Sequence, residues 1–134
     1  MTETRVVRVM LVEDHADFRR LLAVMVDREA DLEVVAQAGS LEEARDRMES
    51  AGCDVAVLDM SLPDGVGSDL VAGLREACPG SRVLILSASL DAENRAKAKE
   101  AGVDGVLDKF GDPAEVVGEI RRLGNGRGVV PPTP

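Results

Sequence analysis

Four apolar runs in this sequence end in groups that could handle a divalent cation or a phosphoryl group. Glu13 and Asp14 follow Arg5–Val12, and Asp59 follows Asp54–Leu58. Ser87 follows Arg82–Leu86, and Lys109 lies just beyond Asp104–Leu107. If the first and third runs are neighbouring strands, their ends lie about 4.8 Å apart and three carboxylates converge. Charges of one sign that close repel and destabilise a fold unless something neutralises them. The two evident neutralisers are a divalent cation and Lys109. An oxygen-only site suits Mg²⁺, which keeps several waters and so leaves positions for a phosphoryl oxygen. Lys109 can meet the same group as a point charge, and Ser87 offers a hydroxyl donor. One carboxylate can act as nucleophile and form an acyl phosphate, helped mainly by positioning and charge neutralisation. Taken singly, each residue has a plainer use. Asp59 and Ser87 suit turns or caps, Lys109 suits a solvated surface, and Glu13-Asp14 suit a helix start. Their joint placement at strand ends is what points to chemistry.

The elements that position them alternate strand and helix. Phe18, Leu21, Leu22 and Met25 give Ala16–Arg28 one apolar helical face. Leu32–Ala38 reads as the second strand. Ser40 and Glu43 form a capping box, and Gly52 ends the helix that runs to Ala51. Pro63-Asp64-Gly65 is a turn before a helix over Ser68–Cys78, with Leu70, Val71 and Leu74 inward. Asp91–Ala101 is an Ala-rich helix, expected to pack weakly, and Gly102 ends it. Asp112, Pro113 and Glu115 open a last helix with Val116, Val117, Ile120 and Leu123 inward. Five strands alternating with five helices argue for an α/β fold with a parallel sheet covered on both faces. The pattern alone does not give the strand order. Ligands of such sheets sit at the carboxyl ends of the strands.

The chain has 134 residues, 45% hydrophobic and 31% charged, which fits one globular domain. Residues 1–124 read as that domain, and 125–134, rich in Gly and Pro, as a tail or the start of a linker. The net charge of −9 makes direct nucleic-acid binding by this chain unexpected. With no Trp or Tyr, aromatic platforms for single strands are missing too. No apolar stretch is long enough to span a membrane, and no signal peptide is read at the start. Cys53 and Cys78 read as free thiols of a reducing cytoplasm.

The segments Leu11-Val12-Glu13-Asp14-His15, Val57 to Gly65, Leu86-Ser87-Ala88 and Leu107-Asp108-Lys109 resemble the receiver domain of bacterial two-component response regulators. The resemblance runs from Arg5 to about Leu123. It implies a flavodoxin-like, CheY-like doubly wound (βα)5 fold with a five-stranded parallel sheet in the order 2-1-3-4-5. It implies Asp59 as phosphoacceptor, Ser87 as switch hydroxyl and Lys109 as the partnering lysine. It also implies Mg²⁺ held by Glu13, Asp14, Asp59 and the backbone carbonyl of Ser61. The implied partner is a sensor histidine kinase, with homodimer formation on phosphorylation left open. Such a chain catalyses only its own phosphorylation and dephosphorylation and is not otherwise an enzyme. Glu-Asp-His at the start and Ile120-Arg121-Arg122-Leu123 at the end resemble the NarL/FixJ branch. That branch joins its receiver to a LuxR-type DNA-binding domain and regulates transcription. Both a receiver-only regulator and a piece of a longer one fit.

Two positions depart from the family pattern. Val106 stands where many receivers have Tyr or Phe, and Phe110 stands where many have proline after the lysine. The phosphorylation chemistry is complete while the readout is altered. The expectation is that the helix at Asp91–Ala101 carries the change instead, with Phe110 as another packing reporter. His15 starts the first helix or lines the pocket edge, with a metal-ligand role as the lesser option. A phosphorylation-independent pseudo-receiver, acting as an interaction module, is the alternative reading. A haloacid dehalogenase-type hydrolase would need a second Asp where Ser61 stands. A dinucleotide site would need glycines where Glu13-Asp14-His15 stand.

Overall fold

The computed structural model describes residues 6–126. In chain order the elements are β1 (Val7–Val12), α1 (Ala16–Asp27), β2 (Leu32–Ala38), α2 (Leu41–Ala51) and β3 (Val55–Asp59). A two-residue ribbon, Ser61–Leu62 against Gly65–Val66, and a 3-10 turn at Gly67–Leu70 lead into α3 (Val71–Ala77). Then come β4 (Arg82–Ser87), α4 (Ala92–Ala101), β5 (Gly105–Asp108) and α5 (Pro113–Gly126). The five long strands are parallel and ordered β2-β1-β3-β4-β5. This is the doubly wound order that the resemblance implies.

Strand alternation splits the core in two. Val9, Leu11, Val55, Val57, Leu84 and Leu86 face α1 and α5, where Leu22, Val26, Val116 and Ile120 close the layer. Met10, Val12, Ala56, Leu58, Val83 and Ile85 face the opposite side, against Ala44, Met48, Val71 and Leu74. Strands buried on both faces carry near-continuous apolar runs, which is why β1, β3 and β4 read as they do. On the second face α4 is the weak member: its only buried residue is Ala98. Small side chains remove little apolar surface from water, so this helix is held mainly by its ends. Cys53 and Cys78 are buried free thiols. Burial pushes the Cys53 thiol up to about 12, with Cys78 adding to it, so it is protonated and unreactive.

The helix ends follow the sequence closely. Ser40 Oγ accepts from the Glu43 N–H at 3.1 Å, while the Glu43 carboxylate accepts from Gly39, one residue beyond the expected partner. Asp91 caps α4 through the Asn94 N–H, and Asp112 accepts from Ala114 at 2.9 Å at the start of α5. Gly52 (φ 62°) and Gly102 (φ 78°) end α2 and α4 in the left-handed region, as expected.

Several expectations need correction. Leu21 is 45% exposed, and the buried stripe of α1 runs through Leu22, Ala23 and Val26. The helix expected over Ser68–Cys78 is α-helical only from Val71 to Ala77, because its first turn winds as 3-10. The α5 helix continues to Gly126, two residues past the proposed domain end at Gly124. Gly124 lies flush against β1, where a Cβ would meet Val7 at 2.5 Å. The remainder of the expected tail and Arg5 lie outside the described residues.

Candidate functional site

The carboxyl edge of the sheet brings the predicted residues together. Val12 of β1 pairs with Leu58 of β3, and Asp59 pairs with Leu86 of β4. Glu13 therefore follows β1 directly beside the end of β3. Alternation puts Glu13, Asp59 and Lys109 on the parity of the α1/α5 side, in line with Leu11, Val57 and Leu107. Glu13 and Asp59 are buried and Asp14 is exposed. A carboxylate oxygen from each of the three lies within 4.8 Å of the others.

Lys109 offsets part of the pocket's negative charge. Its Nζ is 2.8 Å from Asp59 Oδ2 and 2.8 Å from Glu13 Oε1. Backbone groups hold the remaining carboxylate oxygens. Ser61 N–H donates to Asp59 Oδ1 at 3.1 Å, and His15 N–H donates to Glu13 Oε2 at 2.9 Å. His15 is the N-cap of α1, in extended conformation, with no hydrogen bond from its side chain to the helix. Its place is the helix start, at the edge of the pocket.

Burial pushes the Glu13 carboxyl up to about 7, with Asp59 adding to the rise and Lys109 and His15 opposing it. Burial works against the Lys109 ammonium, yet its bonds to Asp59 and Glu13 outweigh that and raise its pKa. Between its ordinary 4.5 and about 7, Glu13 holds more proton in the fold than in the unfolded chain. Stability of the metal-free chain therefore falls as pH rises through that window. The total loss is on the order of 3 kcal/mol. Melting in EDTA at the two ends of the window tests this, with Glu13→Gln expected to lose most of the slope. Equal slopes in the two proteins would show that Glu13 is ionised throughout.

Ser87 stands apart from the carboxylates. Its parity is that of Val83 and Ile85, which face the α2–α4 side. It is buried, and its hydroxyl donates to the Ser89 carbonyl at 2.6 Å. Asn94 of α4 closes the arrangement, with Nδ2 donating to Ser89 O at 2.8 Å and reaching Ser87 Oγ at 3.5 Å. The hydroxyl is thus tied to the first turn of α4. Beyond the lysine, Phe110 is 77% exposed, so it does not act as a packing reporter here. Val106 packs against the same core layer as Ile85.

Sequence reading missed four contributors. Phe18 of α1 lies against Lys109, its ring centroid 5.5 Å from Nζ. Asn94 is the clasp just described. Asp64, read only as a turn residue, caps α2 from across the fold, accepting from Leu41 N–H at 2.8 Å and Glu42 N–H at 3.0 Å. Those two donors hold its carboxyl below the usual range, the Leu41 N–H first. Gly67 lies so close behind the phosphoacceptor candidate that a Cβ would stand 2.0 Å from the Asp59 carbonyl oxygen. Only this last had a signal in the sequence, a glycine eight residues after Asp59.

Comparison with known proteins agrees with the geometry. The family pattern "response regulator receiver domain" matches residues 9–121. The chain is 38% identical over 124 residues to the DNA-binding transcriptional activator DevR/DosR of Mycobacterium tuberculosis, covering 92% of this chain and 57% of the relative. It thus spans little more than half the length of that relative. A LuxR-family two-component response regulator from Aurantimonas superposes with TM-score 0.82 at 31% identity, covering 95% of this chain and 91% of that one. The receiver domain of the putative response regulator NarL from Mycobacterium tuberculosis superposes with TM-score 0.83 at 28% identity, over 92% and 99% of the two chains. With its sheet order, its carboxyl-edge acids and this match over most of its length, the chain belongs to the response regulator receiver domain family.

Proposed function

We propose that the chain is the phosphoacceptor switch of a cytoplasmic two-component system. Asp59 takes a phosphoryl group from a phosphohistidine on a sensor histidine kinase, and the change passes to a LuxR-type DNA-binding domain that regulates transcription. The observation that carries this reading is the lysine fork, with Nζ 2.8 Å from both Asp59 and Glu13 in a pocket of three carboxylates. No described helix is long and apolar enough to cross a membrane.

The donor set fits Mg²⁺: oxygen ligands only, with exposed Asp14 giving access. Glu13, Asp14, Asp59 and the Ser61 backbone carbonyl would hold the ion, which would supply neutralising charge to phosphoryl oxygens. The chain's own groups do the rest. An Asp59 oxygen forms a bond to phosphorus as the phosphorus–nitrogen bond of the donor breaks. The imidazole nitrogen leaves with the electron pair and takes a proton from water. Lys109 is placed to meet the phosphoryl oxygen that replaces its bond to Asp59 Oδ2. Ser87 must leave the Ser89 carbonyl to donate to another. The chain changes only itself in this cycle and is not otherwise an enzyme.

Intact-mass spectrometry after incubation with Mg²⁺ and acetyl phosphate tests the reading. One added phosphoryl group is expected in the wild type and none in Asp59→Asn. No addition from acetyl phosphate or from a kinase would overturn it. The exposed Phe110 and the missing aromatic at Val106 would then favour the pseudo-receiver reading.

Two further outcomes follow. Ser61 and Ser89 are small and exposed, so water reaches the acyl phosphate and its lifetime is minutes to hours. A bulky residue at either position should lengthen that lifetime, read as the decay of the phosphorylated mass, and an unchanged decay counts against the account. Because Asn94 ties Ser87 to a thinly packed helix, phosphorylation should speed amide exchange in α4 more than in β5. Asn94→Ala should give α4 the same faster exchange without phosphate. Change confined to β5 would reject this route.

A further inference from the structure

Lysine is a compact charge on a flexible stem, so its ammonium needs contacts on several sides to stay in one place. Here Nζ donates to Asp59 Oδ2, and it pairs with Glu13 Oε1 by charge at 2.8 Å without a hydrogen bond. The Phe18 ring lies on the α1 side of the same nitrogen, 5.5 Å away at its centroid. The ring is partly buried and packs on the core layer beneath α1 and α5. Lys109 itself keeps only 13% of its side-chain exposure. A ring face carries negative quadrupole density and attracts a cation within about 6 Å, more strongly where water is excluded.

We propose that Phe18 is a positioning residue, whose ring face holds the Lys109 ammonium in the fork between Glu13 and Asp59. This rests on Asp59 being the phosphoacceptor. When Asp59 takes the phosphoryl group, the bond from Lys109 to Oδ2 is given up. The ring contact does not depend on the state of Asp59, so it keeps Nζ in place while its anionic partner changes. The nearby aromatic Phe110 follows Lys109 in sequence but lies out in solvent, leaving Phe18 as the ring against the ammonium among the described residues.

The test replaces Phe18 by Leu, by Tyr, and by phenylalanines carrying one, two and three ring fluorines, which drain the ring face stepwise at nearly constant shape. Two readouts are taken. The first, without phosphate, is the side-chain NMR signal of Lys109. The second is phosphorylation by acetyl phosphate with Mg²⁺, separated into maximal rate and half-saturating concentration. Phe18→Leu is expected to lower the maximal rate about threefold to tenfold, with little change in half-saturation. Tyr should restore it, fluorination should lower it in steps, and the Lys109 signal should move in the same order. A flat fluorine series would mean that the ring acts by packing alone and would overturn the proposal. So would a Lys109 signal indifferent to Phe18→Leu. If the wild type accepts no phosphoryl group, the functional reading fails, and the Lys109 signal still decides whether the ring holds the ammonium.

Discussion

Replacing Lys109 by Met should destabilise the metal-free chain by about 3–5 kcal/mol near neutral pH. The reason lies in what is left behind. Glu13 and Asp59 keep only 3% and 4% of their side-chain exposure, and Lys109 is the cation bridging them. Without it, buried carboxylates face each other and the exposed Asp14 with no counter-charge. Three signatures separate this from ordinary loss of packing. Acid should recover stability: with Lys109 gone Glu13 protonates more readily in the fold, and below its ordinary 4.5 the unfolded chain carries that proton as well. Mg²⁺ should stabilise the variant more than the wild type. Adding Asp59→Asn to Lys109→Met should restore much of the loss, since it removes one of the stranded charges. Thermal melts of the three proteins, with EDTA and with Mg²⁺, check all three signatures. A variant as stable as the wild type in EDTA would mean that solvent already screens the pocket.

Gly67→Ala should cost as much by a different route. A Cβ there would stand 2.0 Å from the carbonyl oxygen of Asp59 and 3.0 Å from its carbon. These are backbone atoms at the end of a central strand, so no side chain can turn aside. The Gly67 N–H also donates to the Met60 carbonyl at 2.8 Å, which fixes the approach. Overpacking typically costs about 1–3 kcal/mol, and an obstacle made of backbone puts this case at or above the upper end. The phosphoacceptor loop must shift as well, so acyl phosphate formation should drop with stability. Gly118→Ala is the control. It lies in α5 with nothing within 4 Å of the added carbon, and should stabilise by about 0.5–1 kcal/mol. Chemical denaturation of the two variants beside the wild type gives the comparison. A Gly67→Ala chain of wild-type stability would show that β3 can give way at its end.

Legibility in the sequence followed the range of the interactions. Strands buried on both sides announce themselves by composition, and caps such as Ser40, Asp91 and Asp112 act within a few residues of themselves. The carboxyl-edge acids were readable because a parallel sheet must carry them to one rim. What α1 buries was misjudged because Leu21 and Ala23 flank Leu22 on opposite sides, about 160° apart around the helix. The sheet, not side-chain size, chose Ala23. The 3-10 turn before α3 escaped notice because Gly67 must tuck behind Asp59 first. Long-range partners left no pattern at all. Nothing near Asp64 says that it will cap α2 across 23 residues, and nothing near Phe18 says that Lys109 will lie against its ring. The pairing of Arg121 with Glu29 and Asp31, joining α5 to the turn before β2, is of the same kind.

The alternation along β3 and β4 has one more consequence. Asp59 belongs to the side of the sheet that carries α1 and α5, while Ser87 belongs to the side that carries α4. Loading and reporting therefore occupy opposite flanks of the rim. A macromolecule gripping the α1 flank leaves α4 open to a second one, so the two need not compete for the chain.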